Sequence, residues 1–509
     1  MTNNGIVRIY LALVAAWFLV VTFQPVVYDE TWHAHVAWLN SERGLKPFRD
    51  LFEHHMPLLW DVLGLYRVLG FTGPGVLYFG RAIVLLCALS TVLGLYLIGC
   101  LTRHKDGTPF PPAMLGIIFF IAADSIALEL FVVRPETLSA PLFVWSSLTW
   151  IAALQMRQKA TPVLILLSGT LFGLAVLASP RFALLGGVFL LTTYTRRPVW
   201  IVQLQRLLLL ALGFSGVVLS YLYSSFINFN DLRFILSFSA LLQNVGAGTA
   251  WPMTVLIAAF VAVIPLCIVV LFLFAAKNQY RRQIMTETAY VLIVVALSAL
   301  VAGKYVYAAA ASPIFILIAY FLVLSQNRLN ANAVVRDLFF GLTIAVWVLL
   351  LSIRLTAYSV STFLANNSEY TLIHRLDQIH ADLAFIPAGE QVLLSPLQHP
   401  IAVEDASFYA LILLDTPDRL CNAVRRAADA HSLPECDYVA DIEANLPYLV
   451  TPYLSALATG PKLQRLRKII ETNYVKCSRY YVRLPHDPGR QKVSKSQPRE
   501  SDSRLCPAP

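Results

Sequence analysis

YDETWHAHVAWLNSERGLKPFRDLFEHHMPLL, residues Tyr28–Leu59, is the stretch on which the reading of this chain turns. It opens on two adjacent carboxylates, Asp29 and Glu30, and carries His33, His35, His54 and His55, four of the chain's ten histidines. Directly before it runs the apolar stretch Ile6–Val27, long enough to cross a bilayer as a helix. That run exceeds a secretory h-region and has no small-residue cleavage site, so it reads as a retained first span. A segment this polar, placed between apolar runs, asks for a chemical reason.

The whole chain has the make-up of a multi-spanning membrane protein. Of its 509 residues, 57% are hydrophobic and 14% charged, against about a quarter charged in an average soluble domain. Apolar runs predict spans near 6–27, 78–101, 112–132, 136–154, 162–179, 182–195, 204–223, 251–276, 286–302, 305–325 and 337–359, about eleven in all. Paired cations fall in alternate loops: Arg103 with Lys105, Arg157 with Lys159, Arg196 with Arg197, Lys277 with Arg281 and Arg282, and Arg328 with Arg336. The positive-inside rule then puts the N-terminus in the cytoplasm, and residues 28–77 and the C-terminal region on the outer, periplasmic side of an inner membrane. The net charge of +9 reflects those loops and a basic tail, and gives no argument for nucleic acid.

The composition changes near Ser361. Residues 1–360 form the membrane part. Residues 361–486 mix helical stretches (Thr371–Phe385, Thr416–Ala430) with strand candidates (Gln391–Leu394, Ser478–Leu484), which predicts a small extracytoplasmic α/β domain. Residues 487–509 are polar and proline-containing and read as disordered. Cys421 and Cys436 are compatible with a disulfide in an oxidising compartment or with buried thiols, and spacing alone decides neither.

Within the opening stretch, helical spacing over Asp29–Asn40 puts Trp32, Val36 and Leu39 on one face and Asp29, His33 and Asn40 beside it. This predicts an interfacial helix with Trp32 at headgroup level. Asp29 and Glu30 at its N-terminus are either caps or carboxylates aimed at a polar substrate. A second interfacial helix begins at Pro57, with Leu58, Val62, Leu65 and Leu69 at helical spacing. The other outer connections carry single cations. Arg134-Pro135-Glu136 reads as a tight turn in which Arg134 and Glu136 form a surface ion pair or part of a site. Arg181 and Lys304 either snorkel to lipid phosphates or hold a phosphate group. The loop Tyr223–Trp251 is long enough for a gate. Asp124 and Glu129 are intramembrane carboxylates or mark an early span end. His33 with Glu30 or His54 is compatible with a divalent cation, but no HExxH or Cys/His ligand pattern occurs, and the histidines read as interfacial or acceptor-side groups. No P-loop or GxGxxG motif is present, which argues against a nucleotide-driven reaction.

Taken in order, these pieces resemble the polytopic GT-C glycosyltransferases, the bacterial relatives of the protein O-mannosyltransferase and lipid A aminoarabinose transferase families. Asp29-Glu30 after the first span, Gly44 to Pro47, the Pro57-Leu58 helix, Phe79-Gly80-Arg81, RPETLSAPLF (134–143), GLAVLASPRFALL (173–185) and GKYVYAAAASPIFILIAYF (303–321) are each similar to a segment of that family. The chain departs from it in having Glu136 where the family often has Asp, and Arg181 where relatives have Lys.

The resemblance implies an inverting transferase of the EC 2.4 class. It would move a sugar from a polyprenyl-phosphate donor to an envelope lipid, glycan or protein, with no cofactor required. It implies Asp29 as general base, assisted by Glu30 or Glu136. Arg181 and Lys304, then Arg134 and Arg81, would face the donor phosphate. His33, His54, His55, Tyr305 and Tyr307 would lie on the acceptor side or in a gate. Rival readings are a secondary transporter built on Asp124 and Glu129, a lipid-linked glycan ligase or polymerase, and a non-catalytic assembly protein.

Overall fold

A computed structural model describes residues 26–101 (without 27, 48, 49, 52 and 54), 132–155, 161–186, 200–225, 227, 232, 372–406 (without 396 and 397) and 437–485 (without 478). The spans expected at 6–27, 112–132 and beyond 251 lie outside these residues, as do Asp124, Glu129, His54, Lys304, Tyr305, Tyr307, Thr416–Ala430 and the 487–509 tail.

The membrane part is a set of long apolar helices. They are α3 (Gly75–Leu101), α4 (Pro135–Gln155), α5 (Thr161–Ala178) and α6 (Trp200–Ser224). Each contains an expected span, with ends shifted by a few residues, as frayed termini allow. Among the described residues α4, α5 and α6 are long and apolar enough to cross a membrane, by length and composition. Consecutive helices pack side by side from α3 to α6. The α5–α6 crossing depends on small residues. A Cβ on Gly169 would collide with the Leu210 carbonyl, and one on Gly213 with the Leu166 carbonyl. The two backbones therefore approach as closely as glycine permits. The outer face of α6 leaves Leu204, Leu208, Leu212 and Leu219 exposed, a pattern suited to lipid. Residues Pro180–Gly186 form a 3₁₀ turn. This turn occupies the start of the span expected at 182–195, whose residues 187–195 lie outside the described residues, and Pro180 has no N–H to continue α5.

The opening stretch folds as α1 (Tyr28–Glu42) and α2 (Leu58–Gly64), the latter extended by a 3₁₀ turn over Leu65–Arg67. Gly44, with φ 71°, turns the chain after α1, and the Leu45 N–H bonds back to the Leu39 carbonyl at 3.1 Å. Residues 31–39 of α1 are all buried, Trp32 included, so this stretch is covered by protein and does not present an open face to lipid headgroups. Periodicity gave it one apolar face, but its polar face is covered as well. Leu376, Ile379 and Ile401, from far along the chain, share its core with Trp60, Leu63 and Val84. In α2 the buried face is Leu59, Trp60, Leu63 and Tyr66, while Leu65 and Leu69 of the expected apolar stripe are exposed.

The C-terminal segment contains α7 (Leu372–Phe385), β1 (Val392–Leu393), α8 (Tyr438–Asn445), β2 (Leu449–Val450), α9 (Gly460–Asn473), β3 (Tyr474–Lys476) and β4 (Tyr481–Arg483). The sheet order is β1-β2-β4-β3, with β1 parallel to β2 and the other neighbours antiparallel. Strand alternation divides its two faces. Leu393 and Val450 pack with α8 and α9, whereas Val392, Leu449 and Val482 pack with Leu383 and Ile386 from the end of α7. Asp382 holds that end down: it accepts from the Tyr480 hydroxyl at 2.6 Å and from Arg479 at 2.8 Å. Burial raises its carboxyl above the ordinary range despite both donors. Cys477 is buried and disulfide-bonded, to a cysteine outside the described residues. The Cys421–Cys436 pairing lies outside them too.

Candidate active site

Four elements bring their ends together at the N-terminus of α1. The acidic first turn of α1 supplies Asp29 and Glu30, where the helix dipole favours anions. Adjacent residues on a helix point about 100° apart, so the two carboxylates take different partners. Glu30 is fully buried, accepts from Arg81 Nη2 of α3 at 2.6 Å, and accepts from the Val133 N–H at 3.3 Å. Asp29 forms an ion pair with Arg134. The Asp29 side chain keeps 13% of its surface and Arg134 16%. Of the two carboxylates, only Asp29 is reached by solvent.

Arg134 sits in the corner that opens α4. Pro135 starts the helix, the Thr137 N–H bonds back to the Arg134 carbonyl at 3.1 Å, and the Thr137 hydroxyl donates to the Val132 carbonyl at 2.7 Å. The corner is thereby fixed before any side chain is aimed. Arg134 turns to Asp29, and the surface pair with Glu136 suggested by their spacing is replaced by this longer-range one. Glu136 is buried and accepts from the Ser179 hydroxyl at 3.1 Å. Ser139 donates to the Ala175 carbonyl at 2.9 Å and ties α4 to the end of α5. Arg181 follows Ser179 by two residues in the 3₁₀ turn, so its backbone leaves the same corner; its side chain is outside the description.

A second polar cluster lies one turn along α1. Glu53, fully buried, accepts from Trp32 Nε1 at 2.5 Å and pairs with His55 Nδ1 at 2.9 Å. Trp60 Nε1 donates to His33 Nδ1 at 3.1 Å, which leaves the proton of a neutral His33 ring on Nε2. The His33 and His55 rings stand edge to face, 5.2 Å apart. His33 and His55 are thus in one cluster, a turn from Asp29.

Of the residues singled out from sequence, Asp29, Glu30, Arg81, Arg134 and Glu136 meet in one interlocked corner, with His33 and His55 beside it. Arg81 pairs with Glu30 inside the protein, and Glu30 also accepts from the Val133 backbone. Glu53 and Ser179 were missed. The signal for Glu53 was present, since a carboxylate two residues before a histidine in a loop between apolar runs is costly to bury without partners. Ser179 carried no signal.

No family model matches the chain, and no curated protein matches it in sequence. Its fold is similar to two crystal structures of ArnT from Cupriavidus metallidurans. The structure bound to undecaprenyl phosphate superposes with a TM-score of 0.56 at 14% identity, covering 89% of this chain and 95% of that one. The apo structure gives 0.54 at 13% identity, covering 95% and 98%. The likeness extends over nearly the whole of both chains, and the fold is that of an ArnT-like membrane protein.

Proposed function

We propose that this chain is an inverting glycosyltransferase that moves a sugar from a polyprenyl-phosphate donor to an acceptor of the cell envelope, on the outer face of the membrane. The observation that carries the reading is Asp29. It is the solvent-reached carboxylate of the corner, fixed in direction by Arg134, at the head of an enclosed helix. An ArnT-like fold supports a lipid-linked donor, because one of the ArnT structures holds undecaprenyl phosphate. In this reading the acceptor hydroxyl or amine gives its proton to Asp29 as its heteroatom attacks the anomeric carbon. The bond to the lipid phosphate breaks in the same displacement, and cations stabilise the charge that grows there. Arg181 and Lys304 are assigned to that phosphate, with Arg134 next. Glu30 and Arg81 hold the head of α1, and Glu136 with Ser179 holds the start of α4 against α5. The cluster of His33, Glu53 and His55 faces the acceptor side. The disulfide at Cys477 supports an oxidising compartment around the C-terminal segment.

The test is transfer by purified protein in proteoliposomes, supplied with polyprenyl-phosphate sugars and envelope extract, with products read by mass spectrometry. Asp29→Asn is expected to abolish transfer while the protein remains folded. Full transfer by that variant would remove Asp29 as base. Movement of a solute into the liposomes without any transfer would favour the transporter reading instead.

A further inference from the structure

His35, His399 and Asp405 come together from positions more than 360 residues apart in sequence. His35 lies on α1, two turns past Asp29 on the side away from the corner. His399 and Asp405 lie in the turn that follows β1. Their side chains are buried, with 0%, 0% and 3% of their surfaces exposed. His35 Nε2 is 2.6 Å from Asp405 Oδ2, His399 Nε2 is 3.3 Å from Asp405 Oδ1, and the two ring centroids are 4.0 Å apart.

One residue sets both rings. The Ile401 carbonyl lies 2.6 Å from His35 Nδ1, and the Ile401 N–H donates to His399 Nδ1 at 3.0 Å. A carbonyl only accepts, so His35 Nδ1 carries a proton and a neutral His35 ring presents a lone pair at Nε2. That lone pair points at a carboxylate oxygen, an arrangement stable only with a positive centre between them. His399 Nε2 and Asp405 Oδ1 are both buried and face each other at 3.3 Å, without the alignment of a hydrogen bond. Buried polar groups are otherwise satisfied, and such a gap in a native site calls for an ion or water. Ile401 reaches both rings only by adopting φ 65°, a conformation that a β-branched residue rarely takes. Strain of this kind is retained where a site requires it.

We propose that His35, His399 and Asp405 bind one divalent transition-metal ion of the zinc class, which fastens the C-terminal segment to α1. The donor set is two imidazole nitrogens and one carboxylate oxygen, which suits zinc and its neighbours better than calcium or magnesium. All three ligand atoms lie within 4.8 Å of one another. Tetrahedral bonds of about 2.0–2.1 Å need ligand atoms roughly 3.3 Å apart, so small ring rotations complete the site. The backbone bond that orients His35 through its other nitrogen is the usual outer support of a metal-binding histidine. To ligate through Nε2, a neutral His399 carries its one ring proton on Nδ1 instead, so the bond from the Ile401 N–H gives way as the ring rotates. Arg375, which donates to the His399 carbonyl at 2.7 Å, adds a like charge that the Asp405 carboxylate offsets. Among the described residues this is the one cluster of three or more such side chains with converging ligand atoms. It is separate from the transfer chemistry, and its test does not depend on activity.

The experiment uses the full-length protein purified in detergent, treated with EDTA and then supplied with zinc or cobalt. Elemental analysis is expected to find one ion per chain retained after gel filtration. The cobalt form is expected to absorb in the visible region as a low-coordinate site with nitrogen and oxygen ligands. Asp405→Asn, which keeps the side-chain shape, and His35→Gln are each expected to weaken binding at least tenfold. Folded wild-type protein that retains no metal and gives no cobalt spectrum would overturn the proposal, and would leave the triad as a hydrogen-bonded cluster without an ion. Full metal content in both variants would overturn it equally.

Discussion

Glu30 and Asp29 are neighbours in sequence, and the structure gives them opposite kinds of sensitivity. Glu30 is wholly buried and Arg81, its partner at 2.6 Å, is nearly so. Glu30→Gln keeps the shape of the side chain but takes the Glu30 countercharge from a guanidinium that is nearly buried. Breaking a buried pair on one side costs about 3–5 kcal/mol. Asp29→Asn is different. The amide oxygen still accepts from Arg134, both groups keep some contact with water, and the loss is limited to part of a charge-assisted hydrogen bond, about 1–2 kcal/mol. Thermal unfolding of the purified protein, followed by intrinsic fluorescence, should show a large drop for Glu30→Gln and a small one for Asp29→Asn. Transfer activity should fall most for Asp29→Asn. A double variant, Glu30→Gln with Arg81→Met, should recover part of the lost stability, because the stranded charge is gone. A coupling below about 0.5 kcal/mol in that cycle would refute the reasoning. So would a Glu30→Gln protein as stable as the parent.

Three further outcomes follow from the packing. Gly169→Val should prevent the close α5–α6 approach, because the new side chain meets the Leu210 backbone; the expected loss exceeds about 1–3 kcal/mol and is read as a lowered thermal midpoint. Glu53→Gln should weaken the bonds from Trp32 Nε1 and His55, costing about 1.5–3 kcal/mol, with a change in tryptophan emission as the local readout. Asp437 caps α8 through the Val439 and Ala440 N–H groups at 3.1 and 3.3 Å, so Asp437→Ala should cost about 1 kcal/mol. Lys462 and those two N–H groups outweigh burial and hold the Asp437 pKa below its usual range. Its contribution is therefore complete above about pH 4 and is lost as pH falls through the lowered value. Parent and variant should converge in acid when their stabilities are compared across pH.

The four described apolar helices of the membrane part could be read from the chain itself. Apolar runs of span length are a strong signal, and α3 to α6 lie where such runs occur. The fate of α1 was hidden for a physical reason. Its 3.6-residue pattern describes only the cover that the adjacent helices provide, and the cover of its polar face comes from residues near 400. His35 looked like one of four loop histidines because its partners, His399 and Asp405, are invisible in local sequence. The strands Leu449–Val450 and Tyr474–Lys476 were missed, being too short for an alternating pattern to register. At the corner, the residue types at Asp29, Glu30, Arg81, Arg134 and Glu136 were legible, but not their pairing. Spacing suggested Arg134 with Glu136, and the tertiary fold pairs Arg134 with Asp29.

The enclosure of α1 also has a consequence in time. His35 leaves the ribosome some 370 residues before Asp405, an interval of roughly 20–70 s at ordinary rates of synthesis. Throughout it, the buried residues of α1 stand open on an unfinished bundle. The full cover of α1 is thereby delayed until residues near 400 arrive. A nascent or truncated product would hold Asp29 and Glu30 without the cover that fixes their helix, and a translated fragment ending before residue 400 should be inactive however well its spans insert.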